Sequence, residues 1–196
     1  MKCKSEPMRD KILSAVVELF IEKGVENVKT RDLTESLGLS RSHIYHYFKN
    51  WQSLCLEAVT KFMLTELEEF RIMLKPLPAH QKLQEFIDGN ISATPDPTRK
   101  LYGSLWILST HNESYASLMQ SILEEWHQVL TQIIRSGMEE GAFRSVEAPR
   151  VARQLDAMLF GYSEYLFTLP SEGSLKQAKE DVEDFIKQNL LIQSHI

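Results

Sequence analysis

Residues 41–49 read RSHIYHYFK, and this run carries most of the chemistry that can be read from the chain. Ile44 and Phe48 stand four apart and suit burial on one helix face. That leaves Arg41, Ser42, His43, Tyr45, His46, Tyr47 and Lys49 outside. A guanidinium can fork onto the O6 and N7 of guanine, and Ser and His tips can donate or accept at base edges. Tyr and Lys can reach phosphate oxygens, which position a protein on a duplex without reading sequence. Lys29, Thr30, Arg31 and Ser40 lie close enough upstream to join the same surface. Two of the candidate base readers are histidines, so affinity is expected to vary with pH near neutrality.

Other constellations compete poorly. Glu124-x-x-His127 has the spacing that places two metal ligands on one helix face, but such sites require a second copy. No other His here follows a Glu by three residues. His43-x-x-His46 has metal-like spacing too, yet it lies within the polar run just described. Phosphate-cradling Gly loops and Gly-x-Ser-x-Gly elbows are absent. No catalytic residue, metal ligand or cofactor is therefore assigned, and the chain is read as a non-enzyme.

The elements that must position this surface are helical. Apolar residues at 12, 13, 16, 17, 19 and 20 predict a helix over 8–23, closed by Gly24 in the left-handed C-cap conformation. A second helix is expected over 30–37 with Leu33 and Leu37 inward, then a turn at Gly38 with Leu39. Ser40 is a natural N-cap for the third, because its hydroxyl can accept an orphan backbone N–H. Helix, short Gly turn, helix is the helix-turn-helix unit, whose second helix lies in the major groove of DNA. A helical interaction module with a degenerate, non-binding head is the alternative, supported by Lys29 and Trp51.

The rest of the chain is expected to be helical as well. Helices are predicted over 52–75, 80–92, 98–110, 114–140, 148–169 and 174–192. Pro76-Leu77-Pro78 and Thr94-Pro95-Asp96-Pro97 interrupt them, and Pro149 opens one at its first turn. The fold class is thus all-α, with an N-terminal three-helix helix-turn-helix domain over 1–51. A long helix joins it to a larger helical ligand-binding and dimerisation domain over 52–196.

Composition agrees. The chain has 196 residues and a net charge of −5. Residues 1–60 hold 9 Lys/Arg against 8 Asp/Glu, while 61–196 hold 13 against 19. DNA contact must then depend on a local basic patch. Cys3 falls in an expected frayed terminus and Cys55 reads as a small core filler. No disulfide framework, secretory leader or membrane span is read, so a cytoplasmic protein with no membrane partner is expected.

Residues 9–54 resemble the DNA-binding domain of TetR-type bacterial regulators. The resemblance rests on Ile12-Leu13, Leu19-Phe20, Lys23-Gly24, Thr30-Arg31-Asp32-Leu33, Leu37-Gly38-Leu39-Ser40, Tyr45, Tyr47-Phe48 and Leu54. Three departures stand out, one of them mild: position 42, commonly a small residue, is Ser, which still allows close approach. The family usually has Lys where this chain has Trp51, a position that usually touches phosphate. It usually has a capping Thr where this chain has Lys29; Thr30 is the expected replacement cap, unless Lys29 trades capping for a phosphate contact. The resemblance implies a repressor that binds a near-palindromic double-stranded DNA operator and is released by a small-molecule effector.

It also implies a homodimer. Leu155, Met158, Leu159, Tyr162 and Tyr165, with Phe185 and Ile186, are the expected interface, and Gly161 would permit close approach. Large aromatics in the middle helices suggest an effector pocket of Phe62, Met63, Phe86, Tyr102, Trp106, Met119, Trp126 and Phe160. His111, Glu113 and His127 would add polarity. Residues 105–144 and the His46-Tyr47-Phe48 run resemble the choline-responsive BetI-type branch. That implies an effector that is cationic, held on aromatic faces with Glu113 or Glu124 as counter-charge, or else apolar.

Overall fold

The computed structural model describes residues 5–92 and 97–192. Among them the helices are α1 (Ser5–Lys23), α2 (Thr30–Leu37), α3 (Arg41–Tyr47), α4 (Trp51–Leu74) and α5 (Ala79–Asn90). They continue as α6 (Arg99–Ser109), α7 (Glu113–Glu139), α8 (Ala148–Thr168) and α9 (Glu172–Asn189). No strand occurs among the described residues, only an isolated antiparallel bridge between Phe143 and Leu191. The expected all-α class is therefore the observed one. Cys3 and most of the break at 94–97 lie outside the described residues.

Helix ends show where local chemistry decided. Gly38 sits at φ 64°, ψ 29°, the left-handed conformation that spares it a Cβ penalty. This lets the Leu39 N–H reach back to Thr34 O at 3.1 Å and turns the chain toward α3. Gly24 departs from expectation. Its φ is 84° but its ψ is 149°, so it opens a 3₁₀ turn over Val25–Asn27 instead of simply closing α1. Val25 is buried in that turn, and its N–H faces Ser104 Oγ at 3.4 Å. α9 stops at Asn189, short of residue 192. Arg144 takes over there: its N–H donates to Leu190 O and its guanidinium to Asn189 O, each at 2.8 Å. A cation on the final carbonyls also suits the negative end of the helix dipole.

The chain packs as two compact units, and the division differs from the expected split at 51/52. The first comprises residues up to Glu68 together with Asp96–Ile122; the second comprises Glu69–Pro95 and Leu123–Ile196. The physical reason is plain within the first unit. α4 runs unbroken past residue 52, and α6, distant in sequence, packs on α1. Ile12, Val16, Phe20, Leu33, Ile44, Leu54, Leu101 and Leu105 are all fully buried there. Arg9 lies over the Phe48 ring at 5.0 Å from its centroid and pairs with Glu57, tying α1 to α4. In the second unit α8 packs on α9 and α5, around Leu83, Leu130, Ile134, Leu155, Val182 and Leu190.

Candidate nucleic-acid interface

α3 presents its chemistry because two of its side chains do not face solvent. Ile44 has no exposed surface and Phe48, just past the helix end, is buried. Each such burial contributes roughly 1.5–3 kcal/mol, enough to fix the rotation of a seven-residue helix that could not stand alone. Ser40 caps it, accepting from the His43 N–H at 3.2 Å, and its hydroxyl meets Ser42 Oγ at 2.9 Å. Arg41, Ser42, His43, His46 and Lys49 are then exposed, with Tyr45 and Tyr47 half-buried beside them.

Several of these side chains are already held. The Tyr45 and Thr30 hydroxyls are 3.1 Å apart, which braces α3 against α2. The Arg41 guanidinium lies 5.5 Å from the Tyr45 ring centroid, an exposed cation–π contact worth about 0.5–1 kcal/mol. Tyr47 packs edge-on against His46, with centroids 5.2 Å apart, and tilted against His43 at 5.7 Å. His43, His46 and Tyr47 therefore form one edge-packed cluster and are not three independent groups.

The upstream residues divide. Lys29 occupies the cap position of α2, yet an ammonium has no acceptor to offer. Asp32 does the capping instead, its carboxylate accepting the Lys29 N–H at 2.8 Å and pairing with Lys23 at 3.0 Å. Those two contacts hold the Asp32 carboxyl below its ordinary range, the Lys29 N–H having the larger effect. Thr30 braces Tyr45 and does not take over the cap. Lys29 is left with an exposed side chain at the edge of the surface. Arg31 is not idle: it is paired with Glu35 at 2.6 Å, one turn along α2, which raises its already high pKa.

Residues not anticipated from sequence include Glu35, Lys23 and Asn50. Asn50 and Ser53 cap α4 reciprocally, Ser53 N–H to Asn50 Oδ1 at 2.8 Å and Asn50 N–H to Ser53 Oγ at 3.2 Å. The spacing of a capping box was available, but with Ser in place of Glu at its third position. This cap sets the start of α4 at Trp51, whose side chain is half-buried.

Similarity to known proteins agrees with this arrangement. The family model described as bacterial regulatory proteins of the tetR family matches residues 12–58, and that of the BetI-type transcriptional repressor C-terminal domain matches 79–191. The chain belongs to the TetR family of bacterial regulators and carries a BetI-type C-terminal domain. Among relatives of this TetR-family regulator is the transcriptional regulator BetI of Escherichia coli O17:K52:H18. It is 26% identical over 62% of this chain and 69% of its own length. UidR of Escherichia coli K12 is 20% identical over 81% and 79%. A regulator from Saccharomonospora viridis, solved in complex with choline, superposes with TM-score 0.82 at 23% identity over 96% of this chain and 100% of that one.

The expected effector-pocket residues of the regulator are distributed between its two units. In the first, Met63 and Met119 are core. Tyr102 donates to Glu66 at 2.5 Å, Phe62 is half-buried, and Trp106, His111 and Glu113 are exposed. In the second, Phe86 and Trp126 cluster with Phe70, at centroid separations of 5.3–6.2 Å. Phe160 is exposed there. His127 alone among the expected residues lines an open cavity of about 650 Å³ in that second unit. Its Nδ1 meets Asp156 Oδ2 at 2.8 Å, and burial pushes that carboxyl above its ordinary range despite the histidine. His127 is thus engaged with Asp156, and no cluster of three His, Cys, Asp or Glu is found among the described residues.

The interface candidates also divide. Leu155 and Leu159 are buried within the subunit, against the expectation that they face a partner, because α8 turns that stripe toward α9 and α5. Met158, Phe185 and Ile186 are half-buried, and Tyr162 donates to Asp181 on α9. Tyr165 is half exposed, joined on α8 and just beyond it by exposed Phe160, Phe167 and Leu169. Cys55 is buried, and burial pushes its thiol up to about 12, so it is a core filler with negligible thiolate. No helix among the described residues is long and apolar enough to cross a membrane.

Proposed function

We propose that this regulator binds a near-palindromic double-stranded operator as a homodimer, placing α3 of each subunit in the major groove. The observation that carries the reading is α3 itself. A capped helix with Ile44 and Phe48 buried beneath it offers Arg41, Ser42, His43 and His46 outward. Arg41, Ser42, His43 and His46 are the base readers of this proposal. Lys29, Arg31, Ser40, Tyr45, Tyr47 and Lys49 serve the phosphates, with Thr30 bracing Tyr45. Binding would require Arg31 to exchange Glu35 for phosphate and Arg41 to leave the Tyr45 ring, so part of the surface is pre-paired in the free chain.

The exposed α8 side, with Tyr165, is the seam proposed for the two-fold. A small-molecule effector binding within the helical body shifts the dimer between DNA-competent and incompetent states. The protein does no chemistry on that molecule and acts in the cytoplasm. A gel shift with the promoter of its own or the adjacent gene tests the proposal. A sequence-specific shift is expected, together with relaxed discrimination at one base position in Arg41→Ala. No specific shift at moderate salt would favour a helical interaction module with a silent head.

A further inference from the structure

We infer that the cavity in the second unit is a site for a small organic anion, a carboxylate or phosphate carried on an apolar body. Its wall contains Arg71 from α4, Lys75 just past the end of α4, Lys82 from α5 and Arg135 from α7, and no Asp or Glu. Four cations around one cavity stand out because residues 61–196 hold 19 acidic side chains against 13 basic ones. A site for a cation would need a carboxylate or an aromatic face. The wall has no Asp, Glu, Phe, Tyr or Trp, and Glu124, the candidate counter-charge in this unit, is not part of it.

The cations are also available. Lys75, Lys82 and Arg135 make no ion pair among the described residues, and only Arg71 is occupied, by Glu125 at 2.6 Å. Like charges gathered around a concavity repel one another, and an anion relieves that repulsion while accepting charge-assisted hydrogen bonds. Leu74, Val129 and Ile133 give the same wall an apolar part. A volume of about 650 Å³ lies in the range of small-molecule sites, so the occupant has a body and is more than a bare ion. Thr131 and Ser136 add neutral hydroxyls that suit either acid. Opposite-charge contacts thus select the ligand class and the apolar wall its size. That this ligand is the effector rests on the proposed function; that the cavity prefers an anion does not.

The test is calorimetric titration of the full chain with three probes of similar apolar bulk: hexanoate, phenyl phosphate and hexyltrimethylammonium. At least one anion is expected to bind saturably, once per subunit, with affinity that falls as salt rises. The two anions tested separately distinguish carboxylate from phosphate recognition. Lys82→Gln with Arg135→Gln should weaken the anion by about ten-fold or more with an unchanged melting temperature, since both groups lie at the surface of the cavity. Arg135→Gln alone, at an exposed position, keeps the test valid if the double variant melts early. Failure of both anions to bind, an ammonium that binds as tightly, or undiminished binding by the variants would each overturn the inference. A gel shift on the same samples without probe separates the two readings. Retained DNA binding with no anion isotherm sinks this inference alone, and the converse sinks the regulator reading alone.

Discussion

Gly137 offers a sharp test of how α7 ends. Its carbonyl accepts the N–H groups of Ala142 and Phe143, at 2.8 and 2.9 Å, so the chain folds back over the last turn. The Phe143 ring lands where a Gly137 side chain would be. A Cβ there would meet Phe143 Cδ2 at 2.0 Å and Cε2 at 2.3 Å, against 3.4 Å for ordinary contact. The ring must therefore retreat by about 1.4 Å, and at 4% exposure it has little room. Overpacking of this kind costs about 1–3 kcal/mol, and a rigid buried ring points to the upper end. Ala instead of Gly inside a helix returns about 1 kcal/mol. Gly137→Ala should then destabilise by about 2 kcal/mol, which lowers the melting temperature by about 4–8 °C for a chain of this size at fixed concentration. Gly89→Ala is the control: Gly89 is exposed in α5 with nothing within 4 Å, so the variant should melt at or above the parent. Repeating Gly137→Ala in a Phe143→Leu chain should remove most of the penalty. If Gly137→Ala melts with Gly89→Ala, the close approach of Phe143 to α7 is wrong.

Ser40→Ala removes the α3 cap, so melting should show a loss of about 1 kcal/mol and gel shifts should weaken across all sequences; unchanged binding would mean the cap does not preorganise the helix. Asp32 should make part of the head's stability acid-labile. Its folded carboxyl is held low, so its contribution is complete above the unfolded value of about 4 and fades as pH falls through the depressed folded value. Melting of the parent and Asp32→Asn from neutral pH downward should differ at first and then converge; a gap that widens in acid contradicts this. Tyr165→Glu places a charge on the side of α8 proposed as the dimer seam, and sedimentation at one concentration should show a dimer for the parent and a monomer for the variant. An unchanged dimer would move the seam elsewhere.

What was legible in the sequence was what local spacing controls. α2 has the bounds its apolar spacing and Gly38 imply, the Ser40 cap is present, and the Ile44 and Phe48 pair is buried. What was not legible depended on partners distant in the chain or on side-chain competition. Nothing local to α8 says that Leu155 and Leu159 turn toward α5 and α9. Asp32 was not read as the acceptor of the Lys29 N–H, and Glu35 was not seen as a rival for Arg31. The basic cavity draws on α4, α5 and α7, so its cations look like scattered surface charge until those helices pack.

The packing of α6 on α1 has a consequence for protein engineering. The Val25 N–H depends on Ser104, and Leu101 and Leu105 complete the hydrophobic interior beneath the head. A fragment cut after residue 68 would bare that interior and should behave as a collapsed or aggregating peptide. Chimeras that exchange DNA specificity between relatives should therefore graft α6 along with the N-terminal helices, or redesign the α1 face that α6 covers. The unit that carries α3 is a discontinuous fold, assembled only after the chain has been made well past its hundredth residue.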